Sequence, residues 1–239
     1  MTPNPSGDDV LASLSRLDGL PALKSATILS QALSHSLALV ADPAAALSRS
    51  KIPAKVLLLR ELYAYRLAEL ATSACDLFRD GSVVAATVLT RSALEVVAWL
   101  FSVDRKTRKC LENDAVGTLD EFLNRLLFGS RTQGAECKAY NVLDAIDEID
   151  KMIPSFRSAY DLCSEFAHPN ADGVLHSYGR YDKETIIFNL DPKKHQPPVD
   201  GIVPILAGGL GFFMGTYTNM ASYLAELVAL CEREIDRNA

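Results

Sequence analysis

Apolar residues recur at helical spacing along most of the chain, and they predict a protein built mainly from α-helices. Residues three and four positions apart lie on one face of a helix, so this spacing marks the stripe that each helix buries. The pattern predicts helices at about residues 8–17, 21–41, 53–79, 82–111, 118–128, 138–150, 153–168 and 201–236. We therefore expect an all-α fold, a long-helix bundle that forms a single domain over residues 8–236.

One very short break separates the two longest apolar segments in the first half of the chain. Asp80 and Gly81 are all that lies between the helices predicted at 53–79 and 82–111. A connection of this length between two apolar-faced helices predicts an antiparallel helical hairpin. We expect this hairpin to form the centre of the bundle.

Strand-like alternation is confined to one place. The segments 174–178 and 185–190 are rich in β-branched and aromatic residues, and they flank the polar turn at Asp182, Lys183 and Glu184. This pattern predicts a small β-hairpin insertion at about residues 174–190. Residues 1–7 contain two prolines and a glycine without an apolar run, so we expect a flexible tail there. The polar segments 129–137 and 191–199 predict a loop and an extended linker.

Composition narrows the classes of function. The chain has 239 residues, a net charge of −6 and an isoelectric point near 5.3, which argue against a general surface for nucleic acid or anionic membrane. The five cysteines are scattered and include no Cys-x-x-Cys pair, so they predict neither a disulfide framework nor a zinc site. We expect a cytoplasmic protein that needs no metal and no cofactor.

The uncharged stretch from residue 201 to residue 225 is long enough to cross a bilayer. Its content of glycine and hydroxylated residues differs from the leucine-rich surface of a single lipid-facing span, and favours a helix that packs against protein. We keep the membrane span as the alternative. Because glycines allow close helix approach, we expect a homo-oligomer through this glycine-rich last helix and no contact with membrane.

Arg91 and Glu95 are the only charged residues in the apolar helix between residues 83 and 103. They share one narrow stripe with Thr87, Ala98 and Ser102. One interpretation is an ion pair that satisfies itself and fixes the helix register, with help from Arg60, Arg66 or Glu69 of the preceding helix. The other is that the stripe forms the floor of a polar pocket.

The helix predicted at 153–168 carries a second polar stripe at its end. Ser164 and His168 lie one turn apart on one face, and Pro169 ends the helix because proline disfavours helical geometry at the residue before it. Asn170 follows directly. His168 either caps the helix or acts as a general acid/base or ligand anchor. Cys163 lies about 140° from His168 on the helix, so the two cannot form a thiolate–imidazolium pair.

Two charged runs favour solvated helix surfaces. The acidic run at Asp144, Asp147, Glu148 and Asp150 has no accompanying histidine, so a solvated face is favoured over a metal site. The basic run at residues 105–109 follows an apolar helix, where cations complement the helix dipole.

Two motifs carry a resemblance to a known family. The Arg91-Ser-Ala-Leu-Glu95 segment and the later Tyr160-x-x-Cys-Ser164-x-x-x-His168-Pro169-Asn170 segment resemble a family of uncharacterised all-helical microbial proteins. In that family an R-S-x-x-E helix is paired with a helix that ends in S-x-x-x-H-P and is followed by a hairpin. The match covers about residues 55–190, and it implies that Arg91, Glu95 and His168 lie near each other.

A more distant similarity is to HEPN-type helical domains. Many of these are RNA-cleaving toxins or antiphage proteins that dimerise and use an arginine separated from a histidine by four to six residues. Here Arg157 and His168 have ten residues between them, so the nuclease motif is not matched.

These observations predict a non-catalytic ligand-binding or protein-interaction module. The alternative is a HEPN-like RNase or nucleotide-handling enzyme of a toxin or antiphage system, and the sequence assigns no catalytic residue. We expect a polar pocket that would take a small polar ligand or RNA, formed by Arg91, Glu95, Ser164, His168 and Asn170.

Overall fold

Helices account for most of the chain in the computed structural model, which describes residues 21–42, 48–130, 138–190, 199–237 and 239. The all-α fold with one small β-hairpin is confirmed. The helices are α1 (Ala22–His35), α2 (Ile52–Asp80), α3 (Val83–Glu112), α4 (Leu119–Phe128), α5 (Val142–Asp150), α6 (Phe156–Ala167), α7 (His176–Tyr178), α8 (Val199–Ser222) and α9 (Leu224–Arg237). A π-helical turn, Ala171–Leu175, precedes α7, and the strands β1 (Gly179–Asp182) and β2 (Ile187–Leu190) precede α8.

The predicted antiparallel hairpin of α2 and α3 is confirmed, and its turn shows why the break is so short. Gly81 adopts the left-handed conformation (φ 80°), which a residue with a side chain seldom adopts. The Gly81 amide donates to the carbonyl of Phe78, and the Ser82 amide donates to the carbonyl of Leu77. This pair of bonds is a Schellman motif, which satisfies the last carbonyls of α2 and reverses the chain.

Helix α3 lies at the centre of the bundle, because α2, α4, α5, α6, α8 and α9 all pack against it. Helix α8 packs against α3 and α1. A side chain at Gly209 would meet Leu94 and Val97 of α3, whereas Gly208 and Gly215 face open space. The glycines therefore divide between a packed and an open side of α8.

Two helices in the described part of the chain, α3 and α8, are long and apolar enough to cross a membrane. Within the bundle, 56% of the apolar window of α3 is buried, and 44% of that of α8. Both helices pack against protein over much of their length. The membrane span considered for residues 201–225 and the homo-oligomer expected through the glycines remain predictions.

The prediction of one continuous helix over residues 201–236 is wrong, because the chain breaks at Tyr223 between α8 and α9. The Ser222 hydroxyl donates to the carbonyl of Asn219 (2.7 Å), which is the acceptor that the Tyr223 amide would use in a regular helix. The Tyr223 side chain is buried, and its hydroxyl donates to Asp104 of α3 (2.8 Å). Competition for one carbonyl and a buried side-chain anchor thus mark the break.

The hairpin starts later than the alternation predicts. β1 and β2 are antiparallel, with Tyr181 opposite Phe188. Of the predicted turn at 182–184, Asp182 ends β1 and Lys183 and Glu184 lie in the connection. Residues 174–178, predicted as the first strand, are instead helical. The reason lies just upstream, where Asn170 accepts a hydrogen bond from the Gly173 amide (3.0 Å) and its carbonyl accepts one from Val174 (2.9 Å). These bonds close a turn that holds the following residues in helical geometry.

Other predicted bounds shift by a few residues. Helix α1 ends at His35, six residues early, and the apolar Leu39 and Val40 that suggested a longer helix lie in solvent. Helix α5 starts at Val142, where the Asn141 side chain caps it. The helix predicted at 8–17, the tail at 1–7 and most of the segments 129–137 and 191–199 lie outside the described residues.

Candidate functional site

The predicted pair of Arg91 and Glu95 forms on the side of α3 that contacts α6. The guanidinium and the carboxylate are 3.2 Å apart, as their separation of one helical turn allows. Their side chains are 30% and 24% exposed, so most of the pair is buried and its edge is open to solvent. Helix α6 thus covers it only in part.

Tyr160 and Ser164, one turn apart on α6, connect this pair to the second helix. Arg91 donates from Nε to the Ser164 hydroxyl (2.9 Å) and from a terminal nitrogen to the Tyr160 hydroxyl (2.6 Å). The Tyr160 hydroxyl donates to Glu95 (3.0 Å), and the guanidinium lies 5.0 Å from the centre of the Tyr160 ring. These four side chains form one closed polar network, which we call the Arg91 cluster.

Tyr160 is the member of this cluster that was not among the five predicted pocket residues. Its helical position places it with the apolar residues Phe156 and Cys163, and its ring is indeed buried. Only its hydroxyl reaches the polar pair. The available signal was its spacing of one turn from Ser164. The partners of Arg91 therefore come from α6 and not from Arg60, Arg66 or Glu69 of α2, the candidates in the sequence.

His168 and Asn170 form no hydrogen bond with the Arg91 cluster within the described part of the chain. His168 is the C-cap of α6; its backbone is extended, as expected before Pro169, and its side chain is exposed. Asn170 accepts from the Gly173 amide and donates to Glu165 (2.6 Å). Of the five predicted residues, the structure brings together Arg91, Glu95 and Ser164, and it uses Asn170 as a turn cap.

The Arg91 cluster offers little to nucleophilic chemistry. The Ser164 hydroxyl donates to the Tyr160 carbonyl of its own helix (2.9 Å), so its proton is directed away from any base. Burial raises the pKa of the Cys163 thiol to about 12, against the opposing effect of Arg91. Burial and the nearby Glu95 carboxylate raise the pKa of Tyr160. The nucleophilic groups are therefore held in their protonated forms.

Arg157, the arginine considered for a nuclease motif, is committed to ion pairs. Its guanidinium lies 2.6 Å from Asp147 and 2.9 Å from Asp161, and its backbone amide donates to Asp150 (2.9 Å). Among the described residues, no group of three or more histidine, cysteine or carboxylate side chains could hold a metal ion. Asp147 and Asp150 of the acidic run on α5 thus both contact Arg157, one through an ion pair and the other through a backbone hydrogen bond.

A second polar network lies deeper in the bundle and was not indicated by the sequence. Arg60 and Glu61 of α2 are 6% and 5% exposed, and their charged groups are 2.9 Å apart. The Tyr217 hydroxyl of α8 donates to both Glu61 oxygens, at 2.8 and 3.0 Å, and the Arg60 guanidinium lies 4.1 Å from the Tyr217 ring centre. Each charge is thus paired, as buried charges must be.

Among the grooves that the described residues form, the one between α3, α4 and α5 is lined by three aromatic side chains. Its volume is about 520 Å³, within the range of small-molecule sites. Three aromatic side chains form its floor, with ring centres 6.2 Å apart for Trp99 and Tyr140 and 5.4 Å apart for Phe122 and Tyr140. We call this feature the Trp99 groove.

The rim of the Trp99 groove carries charges of both signs. On α3, Arg105 is held 2.9 Å from Glu148, and Lys106 lies 4.9 Å from the centre of the Phe122 ring. The Glu148 carboxylate also accepts from Ser102 (2.7 Å). The basic and acidic runs that the sequence suggested as separate solvated faces therefore meet across one groove.

Three further rim residues are Glu121, Asp144 and Lys151. Within the described part of the chain, their side chains form no hydrogen bond or ion pair. The groove thus combines three aromatic rings, the cations Arg105 and Lys106, and three charged side chains that have no partner among the described residues. It can bind a ligand through stacking and through charge contacts of either sign.

Comparison of the chain with protein-family models, with curated proteins and with solved structures finds no match.

Proposed function

We propose that this protein is a non-catalytic ligand-binding module and that its site is the Trp99 groove. The proposal rests on the position of charged side chains that have no hydrogen-bond or ion-pair partner among the described residues. In the Arg91 cluster every polar side chain is satisfied by another one, whereas Glu121, Asp144 and Lys151 at the groove have no side-chain partner among the described residues. A cluster whose polar groups are all hydrogen-bonded to each other suits a structural role. Charged side chains without a partner, next to aromatic rings, suit ligand binding.

The Arg91 cluster then acts as a clamp between α3 and α6. Its four side chains link the two helices through two hydrogen bonds from one guanidinium and a third from Tyr160 to Glu95. The planar guanidinium holds both α6 partners in a fixed geometry, which lysine could not reproduce. This role requires neither a free base nor a nucleophile.

The chemistry of the groove favours a small zwitterion with an aromatic or large apolar body. Trp99 offers ring surface for the body of the ligand, whereas the Tyr140 ring already has the Arg125 guanidinium 3.7 Å from its centre. Lys106 on α3 and Lys151 after α5 line the groove without an ion pair among the described residues and can meet a carboxylate. Asp144 faces the same groove from α5 as a partner for an ammonium group. A ligand with both charges would satisfy both sides, whereas one with a single charge would leave one side unpaired.

The test compares three probes of similar shape. L-Phenylalanine carries both charges, 3-phenylpropionate lacks the ammonium group, and phenethylamine lacks the carboxylate. We expect the zwitterion to raise the melting temperature more than either analogue, because a ligand stabilises the folded state by RT ln(1 + [L]/Kd). Equal or absent shifts for all three probes would refute the zwitterion as the ligand class.

Matched variants locate the site. Lys106→Ala and Asp144→Asn are expected to reduce the thermal shift, whereas the controls Lys109→Ala and Glu112→Gln, exposed charges outside the groove, leave it unchanged. Binding that all four variants retain would place the ligand elsewhere.

The alternative enzyme function is tested on the same samples. A HEPN-like RNase would cleave RNA and lose this activity in His168→Ala. We expect no cleavage by the wild-type protein, and cleavage that depends on His168 would contradict a non-catalytic function.

A further inference from the structure

The β-hairpin of β1 and β2 has one apolar face that no other described part of the protein covers. Residues directly opposite each other in an antiparallel pair share a face, so Tyr181 and Phe188 lie together, with Leu190 on the same face two residues further along β2. These side chains are 46%, 55% and 79% exposed, and the two rings are in contact, with centres 4.9 Å apart. The opposite face carries the polar Arg180, Asp182 and Asn189 together with Ile187.

The apolar face continues onto the turn that precedes the hairpin. A side chain at Gly179 would meet the side chain of Leu175 at 3.3 Å, so Leu175 lies beside the start of β1 on the apolar face. Leu175 is itself 45% exposed. Among the described elements outside the hairpin, β1 makes its main contact with this same π-helical turn. The hairpin therefore projects from the bundle and does not pack its apolar face on it.

A two-stranded hairpin of four residues per strand is marginally stable alone in water. Antiparallel sheets with one apolar and one polar face commonly pack the apolar face against protein and leave the polar face in solvent. A face of this kind that is open to solvent in one chain marks an interaction surface.

We propose that the hairpin face formed by Leu175, Tyr181, Phe188 and Leu190 binds the same face of a second copy of this chain. Two such faces related by a two-fold axis would stack as a pair of small sheets. In this arrangement the same residues of both copies form the interface. Ile186 at the hairpin tip would extend the contact.

The area of the patch suits a dimer. Together Leu175, Tyr181, Ile186, Phe188 and Leu190 expose roughly 600 Å², at the lower end of the ~600–1,000 Å² that each partner buries in a standard protein interface. This agreement favours a whole partner face over a short peptide.

The local charge favours a second copy as the partner. The chain as a whole carries a net charge of −6, which opposes self-association through most of the surface. In the hairpin, Arg180 and Lys183 balance Asp182 and Glu184. Two hairpins can therefore approach without net repulsion, and the apolar contact is not opposed.

The first measurement uses the wild-type protein alone. Sedimentation over about a hundred-fold range of concentration should show a monomer–dimer equilibrium, because dimerisation follows mass action. Hydrogen exchange of residues 179–190 should slow as the concentration rises. A monomer at every concentration, or a dimer without added protection of these residues, would overturn the proposal.

A matched pair of variants on β2 then tests the face. Phe188→Ser removes the central aromatic contact and should weaken the dimer at least about tenfold, the effect of losing a buried aromatic anchor. Asn189→Ser changes the neighbouring residue on the polar face and should leave the dimer unchanged. Gly208→Leu adds bulk to the open side of α8, the dimer surface expected from the sequence. Dissociation by Gly208→Leu and not by Phe188→Ser would place the interface on α8 and refute the hairpin dimer.

Discussion

Replacing Arg60 by methionine should destabilise this protein more than any change to its surface ion pairs. Methionine keeps much of the apolar stem of arginine and removes the guanidinium that pairs with Glu61 at 2.9 Å. Both side chains are 7% exposed, so water cannot take over the lost contact. The variant therefore leaves a buried carboxylate without its cation.

The expected loss in the free energy of unfolding depends on the hydrogen bonds that Glu61 keeps in the variant. Breaking a buried ion pair by removing one partner costs about 3–5 kcal/mol. In Arg60→Met the Tyr217 hydroxyl still donates to Glu61, which places the loss near the lower end, about 3 kcal/mol. For a protein of this length that corresponds to a fall in melting temperature of roughly 10 °C.

Urea unfolding followed by circular dichroism measures this cost directly. The control is Arg79→Met on the same helix, where the partners Arg79 and Asp76 are 52% and 64% exposed. Exposed pairs contribute at most about 1 kcal/mol, so the control should lose little stability. The double variant Arg60→Met, Glu61→Gln should recover part of the loss, because no charge is then left unpaired. If Arg60→Met costs no more than Arg79→Met, the buried network is not what holds α2 to α8.

Three further results are expected. Gly173→Ala should destabilise by about 1–3 kcal/mol, because its side chain would clash with the His168 carbonyl. Gly208→Ala in open space on α8 should be neutral or stabilising by up to about 1 kcal/mol, and denaturant titration compares the two variants. Cys163 should resist alkylation at pH 8 until the protein unfolds, as mass spectrometry would show, because it is buried and its pKa is about 12. The carboxyl pKa of Asp114, measured by NMR, should lie below its ordinary value and rise in Arg237→Ala. Because the pKa is lower in the folded state, the contact stabilises the protein fully above the unfolded pKa of about 3.9. This stabilisation is lost as the pH falls through the folded pKa. Rapid labelling of native Cys163, a tolerated Gly173→Ala or an unshifted Asp114 would each contradict the corresponding contact.

The sequence predicts the helical elements well where one periodic signal runs between clear breaks. The Asp80-Gly81 turn is such a case, because glycine alone favours the left-handed conformation required there. The break at Tyr223 was not predicted, since it depends on a serine hydroxyl that competes for a carbonyl and on a hydrogen bond to Asp104, 119 residues away in the chain. The late start of the hairpin has the same kind of cause, a side-chain cap from Asn170 that overrides a β-branched run.

The candidate site was predicted in part for a similar reason. Helical spacing placed Arg91 with Glu95 and separately marked Ser164, but it could not indicate that Tyr160 reaches between them. Nor could it show that the basic end of α3 faces the acidic face of α5. Both charged runs look like ordinary solvated surfaces in one dimension, and only the packing of three helices brings them together around Trp99.

The most direct test of the Trp99 groove uses the fact that the chain contains one tryptophan. Its indole N–H gives a single cross-peak in a ¹H–¹⁵N correlation spectrum, so a ligand that stacks in the groove must shift this peak. We expect saturable movement of the Trp99 peak on titration with L-phenylalanine, and weaker movement with 3-phenylpropionate, phenethylamine or the Lys106→Ala variant. A Trp99 peak that stays in place while the protein binds a ligand would show that the groove is not the binding site.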